Sequence, residues 1–159
     1  MKKQVEFSFH VLEKTRNNAI KLIESLSLEA ANAQFPGLNN TAAWNFCHAL
    51  VSTQLLTRGV AGLDTGLTPD ELSKFRKGSD GKVRVSQDEL NQFIAFASTS
   101  LEELKAMQEK NAFDDYLPYE TSYGAELRNI EEALHFVGVH EALHLGYMMA
   151  IRRASEGAK

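Results

Sequence analysis

The chain has 159 residues, enough to form one domain spanning 1–159 that buries about two-thirds of its unfolded surface. With 43% apolar and 24% charged residues it has the composition of a globular protein, not a disordered one. The 21 acidic residues outnumber the 17 basic ones, which argues against a nucleic-acid-binding face. The single Cys47 excludes an internal disulfide framework and any multi-cysteine zinc module. No run approaches the roughly 18 consecutive apolar residues of a membrane span. After the basic start come Glu6, His10, Glu13 and Lys14 instead of an apolar signal core, so the expected location is the cytoplasm.

Three prolines, Pro36, Pro69 and Pro118, divide the chain into four stretches, each with one segment of helical periodicity. The first helix is predicted from about Gln4 to Leu26, with Val5, Phe9, Leu12, Ala19, Ile20 and Ile23 recurring at helical spacing. The second opens under an Asn40 or Thr41 cap and reads to about Gly62, with Trp44, His48, Val51 and Leu55 on one face. A long crossover, roughly 63–85, follows. Within it Thr68-Pro69-Asp70-Glu71 marks a short helix, and Lys82 to Val85 alternate too briefly to found a sheet. Ser86-Gln87-Asp88-Glu89 is a capping box that starts the third helix, whose stripe is Leu90, Phe93, Ile94, Ala97, Leu101 and Leu104. The fourth starts after Ser122-Tyr123-Gly124 and runs to about Ser155. The fold class is therefore all-α, a four-helix bundle with a long crossover between helices 2 and 3.

Helical phase separates the five histidines. His10 shares a solvated face with Glu6 and Lys14, and His135 falls nearly opposite His140, so both read as surface residues. His140 and His144 stand one turn apart on a face shared with Phe136, Val137, Tyr147 and Ile151, and His48 lies on the apolar stripe of the second helix. Three buried imidazoles are hard to satisfy with one another, and a divalent metal does so by accepting one lone pair from each. The expected site is therefore His48, His140 and His144 around a divalent transition metal: zinc, nickel or iron. Three ligands leave a position open for water or substrate, which is the arrangement of a working site.

His140-Glu141-Ala142-Leu143-His144 also matches H-E-x-x-H, in which zinc peptidases use the glutamate as general base. The extended peptidase pattern needs Gly and His where this chain has Tyr147 and Ala150. Too little chain follows to bring a distant downstream carboxylate, and no edge strand is expected to hold a peptide. Glu141 lies about 100° from His140 on the helix. There it can accept a proton from water, or orient a ligand histidine from behind. Cys47 points away from His48 and reads as a structural thiol. Gly138 and Gly146, inside the fourth helix, suggest close approach of a neighbouring helix or of another subunit. Tyr147 either lines the pocket or packs. Lys74, Arg76, Lys77, Lys82 and Arg84 form either a solvated crossover face or a rim attracting an anionic substrate.

Asn40-Thr41-Ala42-Ala43-Trp44-Asn45-Phe46-Cys47-His48 resembles the W-x-x-x-H second-helix segment of the DinB-like (damage-inducible, YfiT-like) superfamily. His140-Glu141-Ala142-Leu143-His144-Leu145-Gly146 resembles its H-E-x-x-H-x-G segment, and nearly the whole chain follows the same order of helices. The resemblance implies a bundle holding a metal on His48, His140 and His144, often as a homodimer. Characterised relatives include S-transferases and an isomerase that use low-molecular-weight thiols. The expected function is thus metal-dependent thiol transfer or hydrolysis on a small molecule. The alternative from another class is a stress-related bundle that binds metal or ligand without turnover.

Overall fold

The computed structural model describes residues 2–157. Residues 1, 158 and 159 of the expected 1–159 domain lie outside them. Helices dominate: α1 (Lys2–Glu24), the short α2 (Leu28–Ala31), α3 (Ala42–Gln54), α4 (Pro69–Phe75), α5 (Gln87–Glu109) and α6 (Ile130–Gly157). The four long ones, α1, α3, α5 and α6, form the bundle, with α1 lying along α6 and α3 packed against α6. No helix among the described residues is long and apolar enough to cross a membrane.

The elements start where capping chemistry puts them. Thr41 accepts from the Trp44 amide, Thr68 and Ser86 each close a full capping box with Glu71 and Glu89, and Pro69 sits at the first turn of α4. Helix α3 carries no charged residue in thirteen, and all thirteen are buried. A helix apolar or uncharged on every side belongs in the centre. It is this central helix that carries Trp44, Asn45 and His48.

Three boundaries differ from the sequence expectation. Helix α1 stops at Glu24 because Ser27 caps a separate turn, α2. The second helix does not continue as α to Gly62. At Leu55 it widens into a π turn, Leu55–Gly59, in which the Val60 amide reaches the Leu55 carbonyl, and the chain turns away at Gly62 with φ +70°. The fourth helix begins at Ile130, not directly after Gly124. The residues between form a two-residue hairpin, β1 (Tyr119–Glu120) with β2 (Glu126–Leu127), antiparallel with Tyr119 opposite Leu127. Gly124, at φ +83°, supplies its turn. Gly138 and Gly146 do not mark a close helix approach within the chain, since a Cβ at either would meet nothing within 4 Å.

The core forms two apolar clusters. One holds Ile23, Trp44, Phe46, Leu50, Phe75, Phe93 and Ile151, and the other holds Phe9, Leu104, Phe113, Leu127, Ile130 and Leu134. On three of the bundle helices a buried polar residue falls between the members of the two clusters: Arg16 on α1, Ser100 on α5 and Glu141 on α6.

Candidate metal centre

His48, on the central helix, meets His140 and His144 from α6. One ligand nitrogen from each lies within 4.8 Å of the other two. Trp44, one turn before His48, stacks on its ring with centroids 4.3 Å apart and planes 9° from parallel, which fixes the imidazole plane. The far nitrogens set the tautomers. His48 Nδ1 donates to the Phe75 carbonyl at 2.6 Å, and His144 Nδ1 donates to Asn45 Oδ1 at 2.8 Å. Asn45 is itself oriented by its Nδ2, which donates to the Thr41 carbonyl. With Nδ1 protonated, the Nε2 of each ring carries the lone pair, as a metal ligand requires.

Burial pushes all three imidazoles toward the neutral form. His140 is lowered to about 4 and His144 to about 3 by desolvation and by the neighbouring histidines, and His48 is lowered by desolvation. At neutral pH each is therefore in its ligating state. The Nε2 atoms of His140 and His144 stand 3.2 Å apart. A tetrahedral ion with bonds of about 2.0–2.1 Å holds its nitrogens roughly 3.3 Å apart, so this pair fits a metal. The far side of His140 is the least supported, because its buried Nδ1 has no partner among the described residues.

The profile of the DinB superfamily matches residues 11–148, which include all three histidines. The chain belongs to the DinB superfamily. No curated protein matches it. Membership and the three-histidine group together make this a DinB-superfamily bundle with a place for a divalent metal.

Glu141, next to a ligand, turns into the polar layer. Its carboxylate, 5% exposed, accepts from Arg16 Nε and Nη2 at 2.9–3.1 Å and from Thr53 Oγ1 at 2.7 Å. Arg16 is completed by the Ala97 carbonyl and Ser100 Oγ. This anchor ties α1, α3, α5 and α6 together one residue from His140. The orienting partners of the ligands are instead Phe75 and Asn45, which sequence reasoning missed. Asn45 could have been sought at the position one turn before Ala49 on the uncharged helix, where an amide has to find buried partners. The Phe75 carbonyl had no signal at all, since it depends on how the crossover folds back.

Cys47 is fully buried, its thiol pushed up by desolvation, and it is not part of the metal-ligand group. His10 and His135 are exposed, as their helical phase predicts. Tyr147 is 49% exposed, on the outside of α6 and not in the pocket. Of the basic crossover residues, Lys74 is paired with Glu89, and only Lys77 reaches the cavity at the histidines.

That cavity, about 320 Å³, opens onto His48 and His140. Leu55, Leu56 and Phe136 form apolar walls, and the hairpin contributes Tyr119, Thr121 and Tyr123. The π turn places both leucines beside it. Ser52 Oγ lies 3.3 Å from His48 Nε2 and adds a hydroxyl on the cavity floor. Larger grooves of about 730 and 900 Å³ lie along α1, but neither touches a ligand histidine.

Proposed function

We propose that the protein is a metal-dependent enzyme that transfers a thiol to, or hydrolyses, a small electrophilic molecule. One observation carries this reading: an open, mostly apolar cavity ends on two histidines of the three-histidine group, so a bound metal would face substrate instead of being sealed in. A divalent metal there, zinc or nickel before iron, would supply the nucleophile at neutral pH by favouring the deprotonated form of a thiol or water. His48, His140 and His144 hold it, while Asn45, Phe75 and Trp44 keep two of the rings in place. The walls Leu55, Leu56 and Phe136 exclude bulk water around the reacting atoms. In transfer, a new sulfur–carbon bond forms as the leaving group takes its bonding pair, and the thiol proton passes to solvent through the open mouth.

The same cavity disfavours a bundle that binds metal only structurally, since such sites are closed. A peptidase is disfavoured by the bonding of Glu141, whose carboxylate is taken up by Arg16 and Thr53, and by a β structure of only two residues per strand. The proposed setting is the cytoplasm, in keeping with one cysteine free of any disulfide, and neither nucleic acid nor membrane enters the reading. The homodimer implied by the resemblance has a suitable face: Val139, Leu143 and Tyr147 form an exposed apolar stripe on α6, and Phe7 shares a groove with Val139.

The test is elemental analysis of untagged protein beside a His48→Ala variant, followed by assay of thiols against electrophiles. One equivalent of transition metal, lost in the variant, with thiol-dependent turnover, is the expected result. Protein that takes up no metal after exposure to zinc, nickel and iron would reduce the histidines to core packing and end the proposal.

A further inference from the structure

The charge lining the cavity is one-sided. Of its lining residues Lys77 is the only charged one, and no carboxylate lines it, in a chain with 21 acidic residues. The five cations of the crossover thus separate: Lys74 pairs with Glu89, while Lys77 faces the space that ends on His48 and His140. Imidazole ligates a metal as a neutral group and would offset none of the charge of a divalent ion. A cavity loaded with a divalent ion would therefore carry positive charge at its histidines and at Lys77, both among largely apolar lining. Low-dielectric walls keep such a field from being screened as it would be in open water.

We propose that Lys77 is a specificity-determining residue, and that the cavity takes a small thiol with an apolar body and a carboxylate at the end away from the sulfur. This rests on the thiol reading given above and narrows it. The sulfur lies at the histidine end, the chain of the ligand runs along Leu55, Leu56 and Phe136, and the carboxylate accepts from the Lys77 ammonium. At about 320 Å³ the space is near the lower end of ligand sites, roughly 300–1,000 Å³, which favours a compact molecule. Burying the apolar stretch contributes about 0.8 kcal/mol per methylene, or roughly a fourfold gain in affinity for each.

The test uses protein loaded with cobalt(II), whose sulfur-to-metal charge-transfer absorption reports thiol binding without turnover. ω-Mercapto acids are titrated from mercaptoacetate to 6-mercaptohexanoate, each beside the ω-mercapto alcohol of the same length. The expected result is an acid bound about five- to tenfold tighter than its alcohol at the best length. That preference falls severalfold in Lys77→Met and shrinks in 0.5 M salt, while affinity for the alcohols is unchanged in the variant. Lys77 is exposed, so this substitution leaves the core intact. Acids and alcohols bound equally at every length, or a preference kept in full by Lys77→Met, would overturn the role of Lys77 and leave the thiol reading standing. Cobalt-loaded protein that gives no charge-transfer band with any thiol would overturn both.

Discussion

Replacing Glu141 with glutamine tests what this residue does, because its two sequence-derived roles and its observed bonding predict different outcomes. The carboxylate receives two Arg16 nitrogens and the Thr53 hydroxyl, and both charged side chains are almost wholly buried, 3% and 4% exposed. Glutamine keeps an oxygen for Thr53 but leaves the Arg16 guanidinium buried beside a neutral amide. Removing one partner of such a pair costs about 3–5 kcal/mol, and the retained hydrogen bonding places this case near 3. A urea dependence of about 2 kcal/mol per molar, ordinary for this size, converts that to a midpoint lower by about 1.5 M. The assay is urea unfolding of metal-free protein, with zinc affinity measured by chelator competition in the folded state. Replacing the pair together, Arg16→Met with Glu141→Leu, should recover most of the loss, because no charge then remains buried. A midpoint within 0.5 M of the parent, combined with lost zinc affinity or turnover, would refute this account and return Glu141 to the reacting atoms.

Asn45→Leu should weaken zinc binding about 10- to 100-fold in chelator competition, because His144 Nδ1 then loses the acceptor that fixes its tautomer; unchanged affinity would show that His144 needs no support. Tyr116, whose hydroxyl donates to the Leu56 carbonyl, is pushed up to about 12 by burial and by Tyr119 and Glu132. Its folded value lies above the unfolded one near 10, so its contribution to stability is complete below pH 10 and lost as pH rises toward 12. The urea midpoint of the parent should therefore fall more steeply between pH 9.5 and 11.5 than that of Tyr116→Phe, and parallel slopes would contradict the shift. The proposed dimer should give way to monomers in light scattering when the apolar face is charged, Phe7→Glu with Val139→Glu, with metal content unchanged; a dimer that survives both charges uses another surface.

The bundle was legible because its determinants are local. Capping residues precede α3, α4 and α5, the prolines fall outside helix interiors beyond the first turn, and the uncharged run of α3 marks its central place. The grouping of the three histidines was legible for the same reason, since His140 and His144 are placed by helical phase and His48 by the stripe it shares with Trp44. The features that escaped depend on what lies across the fold. The π turn at Leu55 has no composition cue, and the Tyr119–Leu127 hairpin is too short for alternation to register. Glu141 shows the limit most sharply. Its place in H-E-x-x-H is a fact of spacing, and helical phase alone turns it only about 100° from His140, which leaves both a basic and an orienting role open. What fills that angle is Arg16, 125 residues away, together with Thr53. The carboxylate accepts from three donors, Oε2 only through the shared Arg16 Nε–H, and Glu141 is not among the residues that line the cavity at the histidines. What the glutamate of the string packs against is therefore decided by residues distant in sequence, which spacing within the motif does not show.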